Sequence, residues 1–377
     1  MPLRVLIIPD KFKGTLTARA AAAAIAGGWR KARAGDTLEL LPMSDGGDGF
    51  GQVTSLLLQA RPQRLKTVNA AHRPCVAQWW WEPRSRTAII ESAAVIGLAM
   101  LPPGRFHPFA LDTAGLGAVV RAAASRGARR CLVGIGGSAT NDGGFGLAKA
   151  LDWQFLDRQG QAIERWVDLH RLVHIRAPRR HWFSELLVAT DVRNCLLGPR
   201  GATRVYGPQK GLRPRDFALA ERCLGRLAWV VRRELGRDFA RRPGAGAAGG
   251  LGFGLMAFLG AQLLPGFDLF ARQAKLERHL RRADLVITGE GSIDRSTLMG
   301  KGVGQVAQRC RQLEIPCIGL AGVVSGRRAA AKHFSRTHAL TEVATIRQAK
   351  AEPARWLERL ARQVARSVDE TGLRPGT

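Results

Sequence analysis

CLVGIGGSATNDGGFGLAKAL, residues 131–151, reads as strand, turn and helix. The apolar run Cys131–Val133 predicts a buried strand. Residues 134–144 then place five glycines and four short polar side chains in a turn, and Phe145–Leu151 carries a helical pattern. Continuous apolar strands alternating with helices build a parallel sheet covered on both faces. The alternation recurs at both ends of the chain. Leu3–Pro9 predicts a strand, with Thr15 or Thr17 as N-cap of an Ala-rich helix running to about Lys31, and Leu38–Met43 predicts a second strand. Asp284–Thr288 and Pro316–Ala321 predict two more strands, separated by a helix over Val303–Leu313.

The middle differs in texture. Val76–Trp81 and Thr87–Glu91 predict an antiparallel hairpin, with Trp79-Trp80-Trp81 on a buried or edge strand, and residues 171–187 are Arg-rich and irregular. The expected fold is therefore two α/β domains, a Rossmann-like parallel-sheet domain with a second, mixed-sheet domain inserted into it. The boundaries are set at 1–70 plus 284–377 for the first and 71–283 for the second, with the active site in the cleft between them.

At 377 residues the chain is long enough for two cores. Hydrophobic residues make up 46% and charged residues 23%, which excludes a disordered chain. The 58 Lys+Arg against 30 Asp+Glu give a formal charge of +28, a field that attracts polyanions. The excess is nearly all arginine, spread singly or in pairs without a basic block, so a compositional bias accounts for it better than a nucleic-acid face. Six cysteines lie far apart without C-x-x-C or zinc spacing and read as reduced core thiols. The apolar run in MPLRVLIIPD is too short for a signal peptide, and a cytoplasmic location is expected. Residues 244–267 carry no charge, but eight are glycine and the bulky residues are confined to Leu251–Leu264, too few for a bilayer. A Gly-rich loop and a buried helix are expected there, and no membrane partner.

Ligands of open α/β sheets gather at the carboxyl ends of strands. Loops suited to that place recur at residues 10–15, 45–49, 136–144, 191–198, 207–211, 244–250 and 289–294, the last followed by Gly300-Lys301. Glycines let backbone N–H groups approach a phosphate, and carboxylates among them can hold Mg²⁺ or take a proton. One such loop is usually a structural turn; seven together point to phosphate handling. No P-loop is present, because Gly302 follows Gly300-Lys301. Residues 134–139 fit G-x-G-x-x-A after a strand, which keeps an NAD(P)-dependent dehydrogenase of a small hydroxy acid as an alternative, and a basic nucleic-acid-binding protein is a second.

In order, DKFKGT, DGGDG, GGSATNDGG, GPQKG, PGAGAAGGLGFGLMAFLGA and DLVITGEGSID resemble the type I glycerate kinases along nearly the whole chain. The resemblance implies an ATP-dependent kinase that phosphorylates D-glycerate, with ATP and Mg²⁺ in the reaction. The 2- and 3-phosphoglycerate products and a homodimer all stay open. Lys11, Phe50 and Cys195 depart from the family pattern, as does the loop Thr113–Gly117. Lys13, Lys210 and Lys301 sit in loops the pattern includes and are the expected cations, with Lys13 and Lys210 assigned to catalysis. Asp191, at the end of the strand Leu186–Thr190, is the expected general base, with Asn194 beside it. Asp10, Ser138, Thr140, Asn141, Asp142, Asn194, Gln209, Glu290 and Lys301 form the expected substrate and nucleotide set. Asp45, Asp48 and Asp294 are the candidate Mg²⁺ ligands. Each has a plainer reading, as a solvated loop lysine, an Asx-turn cap or a turn-holding side chain.

Overall fold

Valine and isoleucine side chains fit a pleated surface, and the RVLIIP run of Arg4–Pro9 buries all but its first residue. The computed structural model describes residues 2–298 and 302–371. Its strands in chain order are β1 (Arg4–Pro9), β2 (Thr37–Leu40), β3 (Arg61–Val68), β4 (Pro74–Glu82), β5 (Thr87–Glu91), β6 (Arg130–Gly134), β7 (Gln154–Leu156), β8 (His174–Arg176), β9 (Glu185–Ala189), β10 (Gln262–Leu264), β11 (Leu285–Ile293), β12 (Cys317–Val324) and β13 (Arg336–Ala339). Packing divides the chain into two units, residues 1–45 with 267–377, and residues 46–266.

The first unit holds an all-parallel sheet of order β13-β12-β11-β1-β2. Its centre pairs β1 with β11, Ile7 opposite Ile287 and Pro9 opposite Gly289, across some 280 positions of sequence. The helix Ala18–Arg30 is capped by Thr17, whose hydroxyl accepts from the Ala20 N–H at 3.1 Å. That helix packs on Pro353–Thr371, and the approach is close because Gly28 has no side chain: a Cβ there would stand 2.0 Å from the Glu358 carbonyl oxygen.

The second unit holds a six-stranded mixed sheet, β10-β9-β6-β5-β4-β3, parallel from β10 to β5 and antiparallel beyond. β6 lies at its heart, with Val133 between Ile90 and Val188. The three tryptophans are on an inner strand, not an edge, and the period of two splits them. Trp79 and Trp81 enter one core, while the ring of Trp80 lies where a Cβ on Gly51 would be, against the helix Phe50–Leu58 on the other face.

Several expectations change. Residues 46–70 pack with the second unit because β3 pairs along its length with β4. Residues 267–283 belong to the first, where Arg309 lies over the Phe267 ring. The Arg-rich stretch 171–187 contains β8 and the start of β9. The expected buried helix ends at Leu259, and Gln262–Leu264 forms strand β10 on the sheet edge. Cys75 and Cys195 are only half-buried, unlike the other four thiols. Among the described residues no helix is long and apolar enough to cross a membrane.

Candidate active site

In a parallel sheet the carboxyl ends of the strands share one side, and the polar loops follow those ends in each unit. In the second unit, β6 delivers residues 135–144 and β9 delivers Asp191. Asp142 is fully buried. One of its oxygens accepts from the Thr113 N–H at 3.0 Å, the Thr113 hydroxyl at 2.8 Å and the Gly146 N–H at 2.9 Å, and the other from the Gly144 N–H at 3.2 Å. Burial and the neighbouring charge of Asp112 nevertheless push its carboxyl up to about 6.

Lys210, also buried, donates to the Thr140 carbonyl oxygen at 2.6 Å. Burial pulls its ammonium down to about 7, against the opposing charge of Asp142. The GPQKG segment is not a loop: it forms the last turn of the helix Ala202–Lys210, closed by Gly211. The helical spacing puts Thr203 two turns ahead of Lys210, and the Thr203 hydroxyl accepts from Asn141 Nδ2 at 3.1 Å. Asn141 Oδ1 is buried without a hydrogen-bond partner, an acceptor left for a ligand to satisfy. Ser138 Oγ meets Thr140 Oγ1 at 2.9 Å and the Ala248 carbonyl at 3.3 Å. Residues 248–250 are consecutively left-handed, and a Cβ on Gly249 would stand 1.9 Å from the Thr140 oxygen, so only glycine admits this approach.

Asp191 is exposed, with Oδ1 accepting from the Gly266 N–H at 2.9 Å. Asn194 staples its loop: Nδ2 donates to the Arg200 carbonyl at 2.7 Å and Oδ1 accepts from Tyr206 at 2.7 Å. Gln209 and Asp48 are exposed. Asp48 Oδ1 stands where a Cβ on Gly137 would clash, and Gly136 abuts Gly47, so the DGGDG and GIGGS loops interlock through backbone. Beside them Glu91, absent from the expected set, accepts from the N–H groups of Gly49 and Gly51, each at 2.9 Å, and holds the first turn of the helix Phe50–Leu58.

In the first unit Asp10 follows β1. Burial, then the charge of Asp45 and, more weakly, that of Glu290, push its carboxyl up to about 7, while the Lys11 N–H at 2.7 Å and the Lys11 charge pull the other way. Glu290 lies within β11, which runs through the expected loop to Ile293, and it accepts from the Thr297 hydroxyl at 2.7 Å. Asp294 Oδ1 accepts from the Ser296 N–H at 2.7 Å and the Ser296 hydroxyl at 2.6 Å, capping the short helix Arg295–Leu298. Lys13 is exposed, its backbone 3.3 Å from where a Gly291 Cβ would be. Lys301 lies outside the described residues. Among the described residues no three or more His, Cys, Asp or Glu side chains are arranged as a metal cage.

The G-x-G-x-x-A fingerprint does not form a dinucleotide turn. β6 ends at Gly134 and the next helix starts only at Phe145, so no helix N-terminus stands behind residues 134–139. Asp112, Thr203 and Tyr206 were not singled out in the sequence, and Thr113 only as the start of a loop that departs from the family pattern, although the seven-residue step from Thr203 to Lys210 carries the signal of a shared helix face.

Comparison with known proteins places these loops in context. The model of the glycerate kinase family matches residues 5–369. The chain is 36% identical over 374 residues to a glycerate kinase of Bacillus subtilis (strain 168), covering 97% of this chain and 98% of that protein. It is 35% identical over 325 residues to a glycerate 2-kinase of Escherichia coli (strain K12), covering 85% of each. A crystal structure from Salmonella typhimurium LT2 superposes with a TM-score of 0.83 at 32% identity, covering 98% of this chain and 99% of that one.

Proposed function

This chain belongs to the glycerate kinase family, and from that membership we propose that it transfers the γ-phosphoryl group of ATP to a hydroxyl of D-glycerate. The observation that carries the assignment of roles is the second unit's buried group of Asn141, Asp142 and Lys210 on two facing segments. Phosphoryl transfer asks the protein for positioning and charge stabilisation more than covalent chemistry. Lys210 supplies a cation whose charge an incoming phosphate would secure, since a nearby anion raises a lysine depressed by burial. Asn141 Oδ1 is the open acceptor for a hydroxyl, and the Ser138 and Thr140 hydroxyls of the same loop bond each other.

Asp191 is assigned the hydroxyl proton. Its bond to the Gly266 N–H fixes one oxygen at a strand end while the carboxylate is exposed. In the first unit, burial and the charges of Asp45 and Glu290 raise the cost of ionising Asp10, and such crowding fits a hard divalent cation. Mg²⁺ is usually held by one or two carboxylates plus phosphate oxygens. Bound there, Mg²⁺ would neutralise phosphate charge.

The test is a coupled ADP assay on the full chain with ATP, Mg²⁺ and D-glycerate, with ³¹P NMR to tell 2- from 3-phosphoglycerate. Glycerate-dependent ADP release is expected. Its absence from a protein shown folded by circular dichroism would overturn the reading.

A further inference from the structure

Six of the chain's 58 Lys and Arg residues line one cavity of the first unit. The cavity, of about 860 Å³, opens along the helices Gly266–Ala274 and Leu276–Leu280 and is bounded by Arg309 of the helix Gly302–Gln312. Arg272, Lys275, Arg278, Arg281, Arg282 and Arg309 line it, against the two carboxylates of Asp268 and Glu277, which leaves four positive charges in excess. Glu277 is taken by Arg281 at 2.8 Å, and Asp268 faces Arg309 at 3.8 Å. Arg272, Lys275, Arg278 and Arg282 are therefore the exposed cations that no carboxylate of the described residues neutralises. None of the described residues assigned to phosphoryl transfer lines this cavity.

The backbone contributes to the convergence. Lys275 separates the two helices in the left-handed region, at φ 49°, where a side chain is disfavoured. This turn lets both helices present cations to one space, over a floor that includes the buried Ala271 and Leu276.

We propose that the cavity binds a compact polyanion, a small molecule carrying two or more phosphate groups. Its volume falls in the range of small-molecule sites, about 300–1,000 Å³. Guanidinium forks pair with phosphate oxygens two at a time. A duplex, by contrast, spreads its charge along a rod at about one per 1.7 Å and needs an extended track, whereas these cations surround a pocket on two short helices.

The probe is sodium tripolyphosphate, titrated calorimetrically into the full chain at low salt, with a non-hydrolysable ATP analogue and glycerate saturating the catalytic site. One binding event is expected, weakened at least tenfold in Arg278→Ala/Arg282→Ala with glycerate-dependent ADP release unchanged. Lys275→Gly provides a second variant, because it removes a cation at a left-handed position that glycine suits and so keeps the fold. It should weaken binding severalfold. Unchanged affinity in both variants, or no binding by the wild type, would overturn the proposal. A 12-base-pair DNA duplex that binds more tightly than tripolyphosphate and displaces it would also overturn it, by making this a nucleic-acid surface.

Discussion

The ammonium of Lys210 donates to the carbonyl oxygen of Thr140 at 2.6 Å, two residues before the buried carboxyl of Asp142. Both ionisable groups are held away from their ordinary values by burial, in directions that favour the neutral forms.

A pH profile of stability follows. Asp142 rises from 3.8 to about 6, so the native state holds more protons than the unfolded chain between those values. Its contribution is complete below 3.8 and is lost as pH rises through 6. Lys210 falls from 10.5 to about 7, so the native state holds fewer protons in that window and stability recovers as pH rises through it. These two groups should place a minimum of stability between pH 6 and 7 in urea melts. Lys210→Met should flatten the rise above pH 7.

Removing the general base should act on the chemical step. Asp191→Asn keeps an acceptor for the Gly266 N–H but cannot take a proton, and kcat is expected to fall by roughly 10² or more with ATP affinity little changed. Lys210→Ala should instead weaken ATP binding as well as turnover. Steady-state kinetics and nucleotide titration separate the two. Near-normal kcat in Asp191→Asn would move the base elsewhere.

Two glycines with nearly the same backbone angle should respond differently to alanine. Gly249, at φ +70°, would place a Cβ 1.9 Å from the Thr140 oxygen, whereas Gly260, at φ +69°, has nothing within 4 Å. Gly260→Ala should cost about 1–2 kcal/mol, the penalty of a left-handed side chain. Gly249→Ala adds a backbone collision and should cost about 3 kcal/mol or more. Thermal denaturation compares them, and equal losses would contradict the packing of residues 248–250 on the loop.

Glu91 should be a stability residue even though it stands at a strand end among the polar loops. Glu91→Ala strips two N–H groups of their acceptor and is expected to cost about 2 kcal/mol, with Glu91→Gln losing about half as much. Chemical denaturation gives the values directly.

Periodicity made the sheets legible: β1, β5, β6 and β9 fall within a residue or two of their apolar runs, because a strand buried on both faces must be continuously apolar. The short β10 and the extension of β11 through Glu290 and Ser292 were not legible, since polar residues join a strand only when a neighbour such as β12 supplies the ladder. The site was legible as loops but not as partnerships. Nothing near Asp142 in sequence announces that Thr113 will hold it or that Asp112 will charge its surroundings, as those contacts exist only after folding. Asp294 and Asn194 show the plainer side of the same chemistry: the short polar side chains that suit a ligand also suit a helix cap or a loop staple, and the sequence pattern is identical for both.

The pairing of β1 with β11 also sets an order of events on the ribosome. At roughly 5–20 residues per second, the Pro9 end of β1 emerges about a quarter of a minute to a minute before Gly289, its partner in the ladder. β2 follows early and can pair one edge of β1, but throughout that delay the opposite edge waits while residues 46–266 are synthesised and can gather their own sheet. The nascent chain therefore carries an apolar strand with one open edge for most of translation, and chaperone demand should track the time to reach residue 293.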